Sequence, residues 1–225
     1  MSAPPVVLVH GFAASSARTW GEAGWLDLLR DAGREVIPID LLGHGEAAKP
    51  HDPAAYDALE ALVLAAFPDE PVDAIGFSLG ARVLLTIAAD APERFVHLIV
   101  AGVGANLFRD EPHQAIIDAI AGTPADDNPV AQYFAGLARL PGNDRDALAA
   151  CMQSPRPRLD DGRLGKVTCP VLVVLGDRDF AGPADPLVAA LANVTLATLR
   201  NVDHFATPKD FGFIDAALDF IGAAP

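Results

Sequence analysis

Cysteine is scarce in this sequence of 225 residues, which contains only two, Cys151 and Cys169. They form no C-x-x-C pair, so a disulfide framework and a zinc site are both disfavoured. The sequence also lacks the H-E-x-x-H pattern of a metal-binding helix, and the glycines near Val100 are too few for a dinucleotide-binding turn. We therefore expect free thiols in a reducing compartment, no metal and no cofactor.

Basic residues and long apolar runs are also scarce. Lysine and arginine number 16 against 30 aspartate and glutamate residues, which gives a net charge of −14. This charge repels phosphate groups and anionic lipids, so neither nucleic acid nor a membrane is an expected partner. No apolar stretch approaches the roughly 18 to 20 residues of a membrane span, and the first residues lack the basic segment of a secretion signal. The expected location is the cytoplasm, and no oligomeric state is indicated.

Short apolar runs alternate with helical patterns along most of the chain. Because these runs lack strict apolar-polar alternation, they are typical of strands covered by helices on both faces. They begin at Val6, Glu35, Val72, Phe95, Val171 and Val194. The helical patterns cover residues 24–32, 53–67, 79–90, 183–191 and 208–221. The sequence therefore predicts an α/β fold with a mainly parallel sheet of about six strands flanked by helices.

The alternation is interrupted over residues 104–165, a segment too long for a plain connection. Three short helical patterns within it begin with Asp or Asn, which are good helix caps. We interpret this segment as a small helical cap inserted into a core of residues 1–103 and 166–225. Five apolar residues are predicted to form its inward face, namely Ile116, Ile120, Val130, Phe134 and Leu137.

The segment Gly76-Phe77-Ser78-Leu79-Gly80 matches the pattern G-x-S-x-G between a predicted strand and a predicted helix. Such a tight turn projects the serine hydroxyl outward, and the two glycines remove side chains that would clash. The N–H of Leu79 then lies in the first helical turn, where unpaired donors stabilise developing negative charge. Ser78 is therefore a candidate nucleophile, and Leu79 is a candidate oxyanion donor.

A serine nucleophile needs a base, and the base needs an orienting carboxylate. His204 follows the last predicted strand and lies in a loop between apolar segments. Asp177 and Asp179 end the fifth predicted strand, and either can orient the base. The order Ser, Asp, His along the chain is the expected one for this architecture. The other histidines are predicted to shape loops or to lie in the core or on the surface: His10, His44, His51, His97 and His113.

Five segments, in this order, resemble motifs of the α/β-hydrolase superfamily and extend over nearly the whole chain: VVLVHGF, IDLLGHG, GFSLG, LGDRD and NVDHF. The resemblance implies that Ser78 is the nucleophile, His204 the base and Asp179 the acid. Asp177 remains an alternative acid, and Asp110 is a more remote one used in some branches of the superfamily.

The resemblance also implies the second half of the oxyanion hole. The N–H of Phe12, in the segment HGF, would act beside that of Leu79. The histidine segment departs from the common Gly-x-Gly-His, because Val202 and Asp203 precede His204. The first apolar run corresponds to the third strand of the superfamily, which again implies about six strands rather than eight.

Together these features predict a serine hydrolase that cleaves carboxylic esters through an acyl-enzyme. An apolar cap and the lack of a basic cluster predict an uncharged ester of short to medium chain, entering under Phe134 and Leu137. The same triad serves enzymes that cleave carbon–carbon bonds and cofactor-free perhydrolases. A receptor that binds a small ligand on this fold is the alternative from a different class.

Overall fold

All six apolar runs form strands. The computed structural model describes residues 3–109, 114–123 and 127–224. Within these ranges the strands are β1 (Val6–Val9), β2 (Val36–Ile39), β3 (Val72–Phe77), β4 (Phe95–Ala101), β5 (Val171–Gly176) and β6 (Val194–Leu199). They pair in parallel in the order β2-β1-β3-β4-β5-β6. The predicted parallel sheet of six strands is confirmed.

The strand order reverses between β1 and β3. The chain first adds β2 on one side of β1, then crosses back to β3, and all later strands are added on that other side. The loops that follow β1 and β3 therefore diverge and leave a crevice at the carboxyl ends of the strands, where open parallel sheets bind their ligands. The segment Gly11-Phe12 follows β1 and Ser78 follows β3, so the topology places both at this crevice.

Helices cover both faces of the sheet. Within the described ranges they are α1 (Trp25–Asp31), α2 (Leu59–Leu64), α3 (Leu79–Asp90), α4 (Gln114–Ala121), α5 (Pro129–Ala138), α6 (Arg145–Gln153), α7 (Asp161–Leu164), α8 (Asp185–Ala190) and α9 (Phe211–Phe220). α1 and α9 bury Trp25 and Phe213 against one face. α2, α3 and α8 bury an apolar layer that includes Leu84 and Leu187 against the other. The continuous apolar runs are explained by these two covered faces.

The predicted helix over residues 53–67 is wrong as a single element. A 3-10 turn, Pro53–Tyr56, precedes α2 and ends where Tyr56 points inward and donates its hydroxyl to the carbonyl of Pro50 at 2.7 Å. The chain leaves helical geometry at Ala58 before α2 begins. Burial of the Tyr56 ring thus overrides the helical propensity of the alanine-rich stretch.

In the part of the chain that the structure describes, four helices, α4 to α7, lie between β4 and β5, and three of them form a group in which α4 packs against α5 and α6. Ile120 is fully buried there, and Ile116, Phe134 and Leu137 pack against the same cluster. Val130 is 46% exposed, so the prediction that it faces inward is wrong. The inward face of α5 is one residue further along, where spacing by three or four residues buries small side chains: Ala131, Ala135 and Ala138.

The two ends of the 104–165 segment pack into the main core rather than among the three helices, through Leu107, Leu159 and Leu164. The predicted start of the first cap helix, including Asp110 and His113, lies outside the described residues. None of the helices in the described ranges is both long enough and apolar enough to cross a membrane.

Candidate active site

Ser78 occupies the turn between β3 and α3, with φ of +53° and ψ of −111°. A residue with a side chain rarely adopts this left-handed φ, so the surrounding structure must hold it. The N–H of Ser78 donates to the carbonyl of Ala101 at 2.8 Å, and its own carbonyl accepts from the N–H of Arg82 at 3.0 Å. The turn is therefore fixed by the end of β4 on one side and by the first turn of α3 on the other.

Gly76 and Gly80 are required by close contacts of the backbone. A Cβ on Gly76 would lie 2.7 Å from the backbone of Ala81, and one on Gly80 would lie 2.2 Å from the carbonyl oxygen of Val9. The start of α3 thus packs directly on the end of β1, which brings Ser78 beside the loop that follows β1.

His204 and Asp179 complete a hydrogen-bonded chain that starts at Ser78. The Nε2 atom of His204 lies 3.1 Å from Ser78 Oγ, and its Nδ1 atom lies 3.0 Å from each carboxylate oxygen of Asp179. A carboxylate only accepts, so Nδ1 carries the proton and Nε2 is free to accept the one from Ser78. The side chains of His204 and Asp179 are 6% and 0% exposed, which keeps both groups in fixed positions away from water.

Asp177 makes different contacts. Its Oδ1 accepts the backbone N–H of Asn201 at 2.7 Å, and its side chain is exposed. The Oδ1 of Asp179 instead accepts the N–H of Ala181 at 2.8 Å, which orients that carboxylate toward His204. Of the two alternatives left open by the sequence, the structure pairs Asp179 with the histidine.

The loop after β1 passes next to Ser78, since a Cβ on Gly11 would lie 3.3 Å from the Cβ of Ser78. The next N–H belongs to Phe12, and the N–H of Leu79 follows Ser78 directly. Among the described residues, neither N–H donates a hydrogen bond to another protein group. Two such backbone donors, one in the loop after β1 and one directly after Ser78, make this position a candidate oxyanion hole.

His10 holds the loop after β1 in place through two hydrogen bonds. Its Nδ1–H donates to the carbonyl of Gly11 at 2.7 Å, and its Nε2 accepts the N–H of Leu41 at 3.1 Å. Burial lowers the pKa of His10. Because Nε2 is already an acceptor, the ring is neutral, and its 3.5 Å approach to Asp40 is not an ion pair. The loop-shaping role expected for His10 agrees with these contacts.

His44 lies next to His10, and its ring centre is 5.4 Å from those of His10 and Phe12. Its Nδ1–H donates to the carbonyl of Leu42 at 3.0 Å. Its Nε2 is buried and has no hydrogen-bond partner among the described residues. Burial lowers the pKa of His44 to about 3, so this ring also packs as a neutral group behind Phe12.

A cavity of about 240 Å³ opens beside Ser78 and His204. Phe134 and Leu137, the two residues predicted to lie over the substrate, are in its wall. The wall also carries three charged side chains that the sequence reasoning missed: Arg18, Glu22 and Lys209. No sequence signal distinguished these three, because each lies near a motif along the chain but belongs to none.

Aromatic rings surround His204. Phe77 and Phe180 lie 4.9 Å and 4.4 Å from its ring centre. Phe205 stacks at 3.8 Å on Tyr133 of α5, which links the histidine loop to the predicted cap. Burial raises the pKa of Tyr133 to about 12, so its hydroxyl stays neutral. These rings also went unnoticed in the sequence, although Phe180 and Phe205 directly follow Asp179 and His204 there.

Among the described residues, one group of surface side chains has the composition of a metal site, with ligand atoms of His51, Asp144 and Asp146 within 4.8 Å of one another. His51 Nε2 lies 3.0 Å from Asp144 Oδ2, and this hydrogen bond raises the pKa of His51 and lowers that of Asp144. The other oxygen of Asp144 caps α6 through two backbone N–H groups. The hydrogen bond with His51 and the cap of α6 explain why these side chains lie close together, and none of them lines the cavity beside Ser78.

Comparison with known proteins identifies the family. The sequence model of a family described as alpha/beta hydrolase fold matches residues 4–149. This chain belongs to the α/β-hydrolase family. One relative is the pimeloyl-(acyl-carrier protein) methyl ester esterase of Neisseria meningitidis serogroup A, 30% identical over 178 residues that cover 66% of this chain and 54% of the relative. Another is the 2-hydroxy-6-oxononadienedioate/2-hydroxy-6-oxononatrienedioate hydrolase of Klebsiella pneumoniae, 26% identical over 89% of this chain and 81% of the relative.

This α/β hydrolase spans between 54% and 66% of the length of the Neisseria esterases that it matches. The solved structure of Est816, described as an N-acyl homoserine lactone degrading enzyme, covers 97% of this chain and 93% of its own, with a TM-score of 0.71 and 19% identity. A bromoperoxidase from Bacillus anthracis covers 99% of this chain and 93% of its own, with a TM-score of 0.70 and 20% identity. At these identities the structures confirm the expected fold alone.

Proposed function

We propose that this α/β hydrolase cleaves carboxylic esters of short to medium chain through an acyl-enzyme on Ser78. The observation that carries the proposal is the continuous hydrogen-bonded chain from Ser78 through His204 to Asp179. A serine hydroxyl is a weak nucleophile unless a neighbouring base accepts its proton, and this arrangement supplies the base and its orientation together.

In the first half of the reaction, Ser78 Oγ forms a bond to the ester carbonyl carbon while its proton moves to His204 Nε2. The carbonyl electrons move onto oxygen, where the N–H groups of Phe12 and Leu79 stabilise the charge. Asp179 stabilises the imidazolium that forms. The bond to the alcohol oxygen then breaks, and the alcohol leaves with the proton from His204.

In the second half, water attacks the acyl carbon and gives a proton to His204. The tetrahedral intermediate collapses, the bond to Ser78 Oγ breaks, and Ser78 regains its proton as the carboxylic acid leaves. The chain-length range is supported by the size of the cavity, about 240 Å³, and by its apolar wall around Phe134 and Leu137. The methyl ester esterases among the relatives support the reaction class.

Hydrolysis of p-nitrophenyl esters from acetate to palmitate tests the proposal, with Ser78→Ala as the matched variant. We expect activity that declines beyond medium chain length and is lost in Ser78→Ala, and we expect a fluorophosphonate probe to label the wild-type protein alone. Equal activity in both proteins would refute the role of Ser78. A ligand that raises the melting temperature without being turned over would instead support a receptor.

Cleavage of a carbon–carbon bond is the second candidate, because the Klebsiella dienedioate hydrolase aligns over 89% of this chain. The same nucleophile and base would serve, with a carbanion rather than an alkoxide as the leaving group. Incubation with a vinylogous 1,5-diketone and identification of the products separates the two reactions. A faster carbon–carbon cleavage than ester hydrolysis would overturn the first proposal.

A further inference from the structure

The cavity beside Ser78 contains one positive charge that its neighbours do not offset. Arg18, Glu22 and Lys209 all line this cavity. Lys209 Nζ lies 3.7 Å from Glu22 Oε2, so these two charges largely cancel. Arg18 has no carboxylate partner within ion-pair distance among the described residues. In a chain with a net charge of −14, such a cation near the nucleophile calls for an explanation.

Arg18 is held in place from both ends. Its backbone belongs to a short π-helical turn, Ala17–Gly21, and its N–H donates to Ser15 Oγ at 3.3 Å. At the other end, Nη2 donates to the carbonyl of Pro141 at 2.6 Å. Arg18 as a whole residue is half-buried, its contact with Pro141 is exposed, and its other guanidinium N–H groups make no hydrogen bond to a described residue. The fork of an arginine matches the two oxygens of a carboxylate, so the unused donors can bind an anion.

The rest of the wall restricts where that anion can be attached. Apart from these charged residues, Ser78 and His204, the lining of the cavity is largely apolar and includes Phe134, Leu137 and Leu140. A ligand that contacts all parts of this wall has a reactive carbonyl at Ser78, an apolar middle and a negative charge at its far end. The positive charge of Arg18 thus favours an ester that carries a negative charge over the uncharged ester expected from the sequence.

Building on the proposed ester hydrolysis, we propose that Arg18 binds a carboxylate at the end of the substrate remote from the ester. The preferred substrates are then monoesters of dicarboxylic acids with an apolar chain. The side chain of Arg18 is a specificity determinant and takes no part in the bond-breaking steps.

The test compares monomethyl suberate with methyl octanoate, which have the same chain length and differ in the terminal carboxylate. We expect the wild-type protein to prefer monomethyl suberate in kcat/KM. Arg18→Gln removes the charge and keeps an amide donor on a shorter side chain, and it should lower this preference about tenfold to a hundredfold, the effect of losing a hydrogen bond to a charged group. Arg18→Lys keeps the positive charge and should retain part of the preference that Arg18→Gln loses.

Two further variants are matched controls. Arg30→Gln removes a charge from α1 outside the cavity, where Arg30 is 57% exposed and 3.7 Å from Asp27, and it should leave the preference unchanged. Lys209→Gln removes the other cation of the cavity. If that variant abolishes the preference and Arg18→Gln does not, Lys209 is the anion-binding residue and the proposal fails.

Other outcomes separate this inference from the proposed function. If Arg18→Gln lowers both activities equally together with the melting temperature, Arg18 only anchors Pro141 and the inference is overturned. If the wild-type protein hydrolyses neither ester, the proposed function fails, and calorimetry with suberate decides this inference by itself. Suberate binding that is lost in Arg18→Gln supports it, whereas equal binding in the two proteins, or none in either, overturns it.

Discussion

Replacing Asp179 by Asn tests the central contact of the site. The Oδ1 of Asp179 accepts from both His204 Nδ1 and the N–H of Ala181, whereas Oδ2 contacts His204 alone. An Asn at this position can therefore keep its oxygen on Ala181 and place its NH₂ group where Oδ2 was. There it faces Nδ1 as a donor, which favours the tautomer whose proton is on Nε2. That tautomer cannot accept the proton of Ser78.

The magnitude follows from the burial of the pair. With both side chains almost fully shielded from water, the attraction between carboxylate and imidazolium at about 4 Å is on the order of 4 kcal/mol for an effective dielectric constant of about 20. Loss of this attraction alone lowers kcat about a thousandfold. The wrong tautomer adds to the loss, so we expect a decrease of about a thousandfold to ten-thousandfold for Asp179→Asn. The assay is the steady-state hydrolysis of a medium-chain p-nitrophenyl ester.

Asp177→Asn is the matched control, since it changes a carboxylate two residues away that bonds Asn201 rather than His204. We expect its kcat to stay within about threefold of wild type, because an exposed carboxylate contributes little. A loss in Asp177→Asn as large as that in Asp179→Asn, or a loss below tenfold in Asp179→Asn, would refute the reasoning. Circular dichroism of both variants verifies that each is folded.

Three further predictions concern stability, measured by urea denaturation. The pKa of His44 is about 3 in the folded protein against 6.5 for the free side chain, so on acidification the unfolded chain binds this proton first. The stabilisation from His44 is therefore fully present above about pH 6.5, and about 2 kcal/mol of it is lost by pH 5. This loss should shrink in a His44→Gln variant. Gly80→Ala should cost several kcal/mol and abolish esterase activity because its Cβ would overlap a β1 carbonyl, whereas Gly136→Ala, with nothing within 4 Å of the added Cβ, should be neutral or stabilising. Asp73→Asn should cost about 3 to 5 kcal/mol because it leaves the buried side chain of Arg34 without its carboxylate partner; an effect below 1 kcal/mol would contradict this assignment.

The sheet and the turn at Ser78 could be predicted because their causes are local. Strands covered on both faces must be apolar at successive positions, and this is so for β1 and β5 and for most of β3 and β4, whereas the edge strands β2 and β6 are only partly buried. The two glycines around Ser78 are likewise visible as letters, and the contacts that require them, with Ala81 and Val9, confirm the reason for expecting them.

Features set by contacts distant in sequence could not be predicted in the same way. The residues alone left Asp177 and Asp179 open and only the resemblance favoured Asp179; the contact that agrees with this choice joins Asp179 to His204, 25 residues further along the chain. Arg18 lies in a turn with no motif, and its position in the cavity depends on Pro141 of the segment between β4 and β5. On α5 the prediction was wrong for Val130, which is exposed while its neighbour Ala131 is buried, although Phe134 and Leu137 pack inward as expected.

The two hydrogen bonds of His10 show why the candidate oxyanion hole depends on β2, a strand that contributes no reacting group. Leu41, just after β2, donates its N–H to His10, and His10 in turn holds the carbonyl of Gly11. Rotating the Gly11-Phe12 peptide would move that carbonyl and the N–H of Phe12 together, because they belong to the same planar unit. The neutral ring therefore fixes the direction of an N–H that it does not touch. Protonation at Nε2 would remove the acceptor for Leu41, so burial that keeps His10 neutral also preserves the geometry of the donor beside Ser78.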